Sequence, residues 1–265
     1  MESRRAAVFR FGKPQSIKSA IVTITLFSIV VLGLWEFGDV NTYSFSKPSR
    51  IVAVLITDHA RLIKAAAMTS RYVLTGLLVG GLLGFVAGLA LGTISAVRTV
   101  AAFGVALPLS FPRTAAFLVV VGYFGVMSDR SVYAIAIYMT AALVGFMTFR
   151  ATRSEIENPT HPEVFDGAVM LHRTRWSVTR VYVLPLVLPK SFTAIMYVAS
   201  TIWPFMIFAE PTGAPSVSGI GNYVYDMFQS GRWDHLFASA LVVALAGLAT
   251  TAVAYLIQVA VLRRY

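Results

Sequence analysis

Few side chains in this sequence are placed to do chemistry. There is no cysteine, so no disulfide framework, thiolate metal site or cysteine nucleophile can form. The four histidines, His59, His161, His172 and His235, are scattered. No pair has helical metal-ligand spacing, and His-Glu-x-x-His is missing. Also missing is Gly-x-x-x-x-Gly-Lys-Ser/Thr, the loop that cradles nucleotide phosphates, so no ATP hydrolysis is expected of this chain. The sequence therefore predicts no catalytic residue, metal ligand or cofactor within it. Polar groups in apolar surroundings are the remaining candidates. Arg113 lies between Pro112 and the apolar run ending at Gly122. A charge inside a spanning segment points to a functional role, here one that favours an anion; the alternative is a long side chain snorkelling to the interface. Thr193, Tyr197 and Ser200 share a helical face with Pro204. They suit either a polar pathway or hydrogen bonding between helices. Glu210 follows at the outer end, as a partner contact or a solvated end charge.

The elements that must position these groups are membrane helices. The 265 residues are 57% hydrophobic and 13% charged, against roughly a quarter charged in a soluble domain. Apolar runs of about 20 residues recur, the length that crosses a bilayer core as helix. Helices satisfy their own backbone hydrogen bonds in lipid, and the alternation of a membrane barrel is absent. The expected fold is all-α, a polytopic integral membrane bundle with six spans, near 19–37, 70–95, 98–124, 131–149, 187–209 and 235–262. A short amphipathic stretch at 51–63 precedes the second span. Pro108 and Pro112 break or kink the third. The formal charge of +10 does not point to nucleic acid, because the basic residues cluster at the ends of apolar runs. The N-terminal basic tail and the run from Ser19 to Trp35 resemble a signal peptide, but no small-residue cleavage site follows, so a retained first helix is expected.

Charge orients the bundle. With the N-terminus inside, fourteen Lys and Arg fall on inner segments and seven on outer ones, which places both termini in the cytoplasm. The chain reads as one transmembrane domain, 1–265, with a cytoplasmic tail at 1–18 and one long polar inner loop at 150–186. On the second span Gly76, Gly80, Gly84, Gly88 and Gly92 recur every fourth residue. They form a slowly winding stripe that admits a close helix, from the same subunit or from another. In the inner loop, Thr160-His161-Pro162-Glu163 has the form of a capping box with Pro in the first turn. A short helix should run from about 161 to 172 and a second from about 174 to 183, ended by Pro185. Such a cytoplasmic helix–turn–helix is a candidate docking knob.

This loop resembles the Glu-Ala-Ala (EAA) motif of permease subunits of ATP-binding-cassette (ABC) importers. Asp166-Gly167-Ala168 falls on the acidic-small-small triplet, His172 on the motif glycine, Tyr182 on the hydrophobic position and Leu184-Pro185 on the end. Arg175-Trp176 resembles the nitrate/taurine/sulfonate branch. So do Phe45-Ser46-Lys47-Pro48-Ser49, Pro112-Arg113-Thr114-Ala115 with Tyr123-Phe124-Gly125, Ala209-Glu210, and Gly219-Ile220-Gly221-Asn222-Tyr223. The resemblance spans about 45–262.

It implies an inner-membrane permease subunit of a bacterial importer that carries a small, anionic solute by alternating access. The implied partners are a second permease subunit, identical or not, two ATPase subunits that hold ATP and Mg²⁺, a periplasmic solute-binding protein, and membrane lipid. Asp166, Gly167, Ala168, His172, Arg175, Trp176, Leu184 and Pro185 would then couple to the ATPase. Arg113, Thr193, Tyr197 and Ser200 would line the pathway, and Glu210 and Asn222 would meet the binding protein. Where the family has glycine, His172 would cost on the order of 1 kcal/mol if the turn is left-handed. Gly167 in place of alanine loosens its helix by up to about 1 kcal/mol. A heterodimer with a more orthodox partner and plain divergence both account for these departures. A secondary-active transporter is the rival reading, though no inverted repeat with broken helices is visible. A membrane enzyme would need acidic residues that the spans almost entirely lack.

Overall fold

The computed structural model describes residues 17–38, 46–101, 129–172, 174–213 and 219–262, and every regular element among them is helical. In chain order these are α1 (Ile17–Phe37), α2 (Pro48–Thr57), α3 (His59–Thr93), α4 (Asp129–Glu157), α5 (Pro162–Leu171), α6 (Arg175–Gly213), α7 (Ile220–Gln229) and α8 (Trp233–Leu262). A further helical segment covers 95–101. Four helices (α3, α4, α6 and α8) are long and apolar enough to cross a membrane. The first expected span coincides with α1, 21 residues long. The third, with Pro108, Pro112 and Arg113, lies outside the described residues beyond 101.

The helices overrun their apolar stretches. Instead of 70–95, α3 starts at His59, separated from α2 by Asp58 alone. Where 131–149 was expected, α4 continues to Glu157. The physical reason is that hydropathy marks only the lipid-matched part of a helix, whereas backbone hydrogen bonding runs on into an amphipathic end. The expected stop at Pro185 is also corrected: α6 passes through it. A π-helical turn, Thr179–Val183, immediately precedes Pro185. Its wider winding displaces the carbonyl that a proline ring would strike in a regular α-helix.

Packing is organised on α4. It lies chiefly against α3 and α6, and α6 in turn packs on α8. The glycine stripe of α3 faces α4. A Cβ on Gly84 would sit 2.5 Å from the Ala141 carbonyl oxygen, and one on Gly76 would sit 2.8 Å from that of Ala136. Of the two expected uses of the stripe, the structure shows packing within the chain. A second π turn, Gly76–Gly80, lies inside this stripe. Over an α turn a four-residue step overshoots one revolution, and over a π turn it falls short, so the π turn offsets the drift.

One buried cluster, with Tyr72, Ile135, Ile202, Trp203, Met206 and Val243, fills the bundle between α3, α4, α6 and α8. A second, at the end of the bundle nearest α5, joins Leu89, Ala151, Ala168, Tyr182, Val183 and Val187. The outward faces are apolar too: Leu74, Leu78, Leu82 and Val86 on α3, and Leu245, Leu248, Val253 and Leu256 on α8, are exposed. In water that would be a large unpartnered patch; against lipid it is the matched surface.

Candidate functional site

At the end of the bundle that carries 150–186, α5 is the first of the two expected short helices; the second is not separate but is the start of the long α6, and one carboxylate braces the two. Glu155, near the end of α4, is 2% exposed. It accepts from Thr160 Oγ1 at 2.8 Å, Thr160 N at 3.1 Å and Lys190 Nζ at 2.8 Å. It therefore ties α4, the turn before α5, and α6 into one unit. The His161 N–H adds a bond to Tyr182 Oη at 3.1 Å, and Phe165 packs edge-on against the Tyr182 ring. The capping box does not form. His161 is the N-cap residue without a side-chain bond, and Pro162 opens the helix as expected, while the Thr160 hydroxyl is taken by Glu155. The sequence reading missed Glu155 and Lys190. The available signal was an acid and a base flanking the loop, on the inner ends of two otherwise apolar helices.

The loop residues divide by face. Asp166 and Arg175 are exposed, as is Trp176. Ala168 is buried against the second cluster rather than exposed. A Cβ on Gly167 would meet nothing within 4 Å. His172 has φ −110° and ψ 114°, an extended conformation open to any residue. The condition on which a cost at His172 depended, a left-handed turn, is not met. Thr174 caps α6 by accepting from Ser177 N at 3.2 Å. Leu184 and Pro185 are half-buried inside α6 rather than ending it. Exposed apolar side chains flank the turn, Met170 85% and Leu171 81% exposed before it and Trp176 68% after it.

At the opposite end of α6 Glu210 is 1% exposed within this chain, so it is not a solvated end charge. Its carboxylate accepts from Thr69 Oγ1 at 2.5 Å and Gly221 N at 2.7 Å, and from the Asn222 N–H. Ile220 N donates to Thr69 Oγ1 at 2.9 Å. Glu210 thus occupies the N-terminus of α7, where unpaired N–H groups and the helix dipole favour an anion. Asn222, the second expected contact residue, is buried within this chain as well. Gly221 is required by proximity: a Cβ there would lie 2.7 Å from the Met206 carbonyl oxygen. The Ala-Glu and Gly-Ile-Gly segments, read separately in sequence, are two halves of one joint.

Beside it, Tyr223 Oη donates to Asp58 Oδ2 at 2.7 Å and pairs with His235 Nδ1 at 2.7 Å. Arg232 bonds the other ring nitrogen of His235, and the Arg61 guanidinium lies over the Tyr223 ring. One consistent assignment has Nδ1–H donating to Tyr223 and Nε2 accepting from Arg232. Burial, then the bond to Asp58, pushes the Tyr223 phenol above its ordinary value, so it stays a donor at neutral pH.

Thr193, Tyr197 and Ser200 lie on one exposed face of α6 with Pro204. Their bonds do not reach other helices: Thr193 Oγ1 donates to the Pro189 carbonyl at 3.1 Å and Ser200 Oγ to that of Tyr197 at 2.8 Å. Arg113 lies outside the described residues. Among the described residues no group of three His, Cys, Asp or Glu could hold a metal ion.

No protein-family model and no curated protein sequence matches the chain. Solved structures do resemble it. A chain of a bacterial ABC transporter involved in the import of the acidic polysaccharide alginate superposes with a TM-score of 0.61 at 15% identity, over 91% of this chain and 96% of that one. A chain of an amino acid ABC transporter superposes with a TM-score of 0.56 at 16% identity, over 80% and 98% respectively. The fold is that of ABC-importer chains.

Proposed function

We propose that this chain is the membrane-spanning permease subunit of a bacterial ABC importer, coupled through α5 to a separate ATPase. The observation that carries this is the braced two-helix projection with exposed apolar side chains on either side of its turn. Met170, Leu171 and Trp176 offer apolar surface to a partner, and Glu155 with Lys190 anchors the base to two spanning helices. A push on this surface is thereby delivered to α4 and α6 together. The likeness of fold and the spacing of the loop motif support the same reading.

The finer reading follows the resemblance. There are six spans with both termini cytoplasmic. The solute is small and anionic, of the nitrate, sulfonate or taurine type, and is handed over by a periplasmic binding protein. The pathway runs between two permease subunits. The exposed α6 face with Thr193, Tyr197 and Ser200 supports a polar lining there, and Arg113 would add the anion preference. ATP and Mg²⁺ belong to the ATPase. The test is a photo-crosslinker at Leu171 in membranes containing the intact transporter. Capture of the ATPase subunit is the expected result; capture of lipid alone defeats the reading.

A further inference from the structure

Between α5, the start of α6 and the inner end of α3 lies a cavity of about 380 Å³ that coupling does not explain. Its lining is cationic and hydroxylic in part, with Arg98, Arg175, His172, Ser95 and Thr174. The rest is largely apolar, with Ile156, Phe165 and Val183 among it. No carboxylate lines it among the described residues. The volume exceeds that of one or two waters, about 30 Å³ each in the liquid, and falls within the range of small-ligand sites.

Arg98 carries the strongest observation. Its side chain is 14% exposed, and its Nε is buried with no hydrogen-bond partner among the described residues. Native proteins rarely leave such a donor unmet, and an ion or water is the usual reason. Glu157 does not satisfy it. Its Oε1 lies 3.7 Å from Arg98 Nη1, while its Oε2 accepts from Arg153 Nε at 2.8 Å. Arg175 Nη1 donates to Ser95 Oγ at 3.1 Å, a neutral acceptor. Two guanidinium groups in the lining of one cavity suit the planar, multidentate recognition of an oxyanion.

We infer that this cavity binds an organic oxyanion: a phosphate, sulfonate or carboxylate head between Arg98 and Arg175, on a short body packed against Phe165 and Val183. Because α5 forms one side of the cavity, an occupant bridges α5 to the inner end of α3 and holds the knob against the bundle. Binding stands on the cavity alone, and its effect on coupling rests on the permease reading above. The head can come from a soluble anion or from an anionic lipid of the inner leaflet.

The experiment is calorimetric titration of the purified full chain in maltoside detergent with phenyl phosphate, inorganic phosphate and benzyl alcohol. Saturable phenyl phosphate binding is expected, at least tenfold tighter than inorganic phosphate, and no binding of benzyl alcohol. Arg98→Gln and Arg175→Gln should each weaken it at least tenfold, and Arg150→Gln should not change it. Repeating the titration in phosphatidylcholine nanodiscs with and without phosphatidylglycerol separates the sources. Competition by phosphatidylglycerol assigns the site to lipid, and unchanged affinity assigns it to a soluble anion. Absence of saturable binding, equal binding by both folded variants, or benzyl alcohol binding as tightly as phenyl phosphate overturns the inference. The last comparison needs only wild-type protein, so it stands if a variant fails to fold. The Leu171 crosslink tests the permease reading separately, so either proposal can fall alone.

Discussion

Glu210 is where one side chain carries the most structure, because it receives two backbone N–H groups and a hydroxyl in a site closed to water. Removing an acceptor strands its donors at about 1–3 kcal/mol for each buried group left unpaired. Glu210→Ala is therefore expected to destabilise the protein by about 3 kcal/mol or more. Glu210→Gln should lose less, since it keeps one carbonyl oxygen. Thermal unfolding in detergent reads both, and an unchanged midpoint for Glu210→Ala would remove the joint from the account. His172→Gly should bring no gain, because its backbone is extended. The added freedom of the unfolded chain should cost about 0.5–1 kcal/mol, and any rise in melting temperature would contradict this. Little of this was legible in the sequence. Ala209-Glu210 and Gly219-Ile220-Gly221 were visible as segments, but a chain position cannot say that they meet each other and Thr69. Glu155 and Lys190 were visible as an acid and a base flanking the loop, but at 35 residues apart nothing in the sequence says that they pair.

Among the helices, the close seam of α3 against α4 and the open side of α5 make opposite predictions for the same substitution. Gly84→Ala drives a Cβ to 2.5 Å from the Ala141 carbonyl oxygen. Overpacking of this kind costs about 1–3 kcal/mol, and Gly84→Leu should abolish assembly. Gly167→Ala meets open space and removes a helix-weakening glycine, so it should stabilise by up to about 1 kcal/mol. Melting curves of the two alanine variants should move in opposite directions; movement the same way would show the seam to be misassigned. The helices were legible here because twenty-residue apolar runs leave the backbone no other way to satisfy itself in lipid. Their ends were not. The stretches 59–69 and 150–157 are mixed in polarity, and only packing on neighbouring helices decides that they stay wound. Pro185 misled for a related reason: a proline ends an α-helix, but a π turn ahead of it lets the helix pass.

For the molecule as a whole, the knob of α5 and the joint at Glu210 lie at opposite ends of α6. Alkaline phosphatase fused after Ser230 should be active and fused after Asn158 inactive, since the enzyme matures only outside the cytoplasm. The reverse pattern would invert the bundle and detach α5 from any ATPase. The glycine stripe then has a mechanical consequence. Each carbonyl ridge of α4 sits in a notch of α3, and the notches repeat every four residues, about 6 Å along a helix axis. A shorter slide would drive a ridge onto the shoulder between two notches. The pair therefore behaves as a toothed rack, stiff against shear and able to shift only by a whole tooth. Force arriving at the inner end of α4 is passed along its length instead of being absorbed by slippage, and the two helices tilt as a single beam.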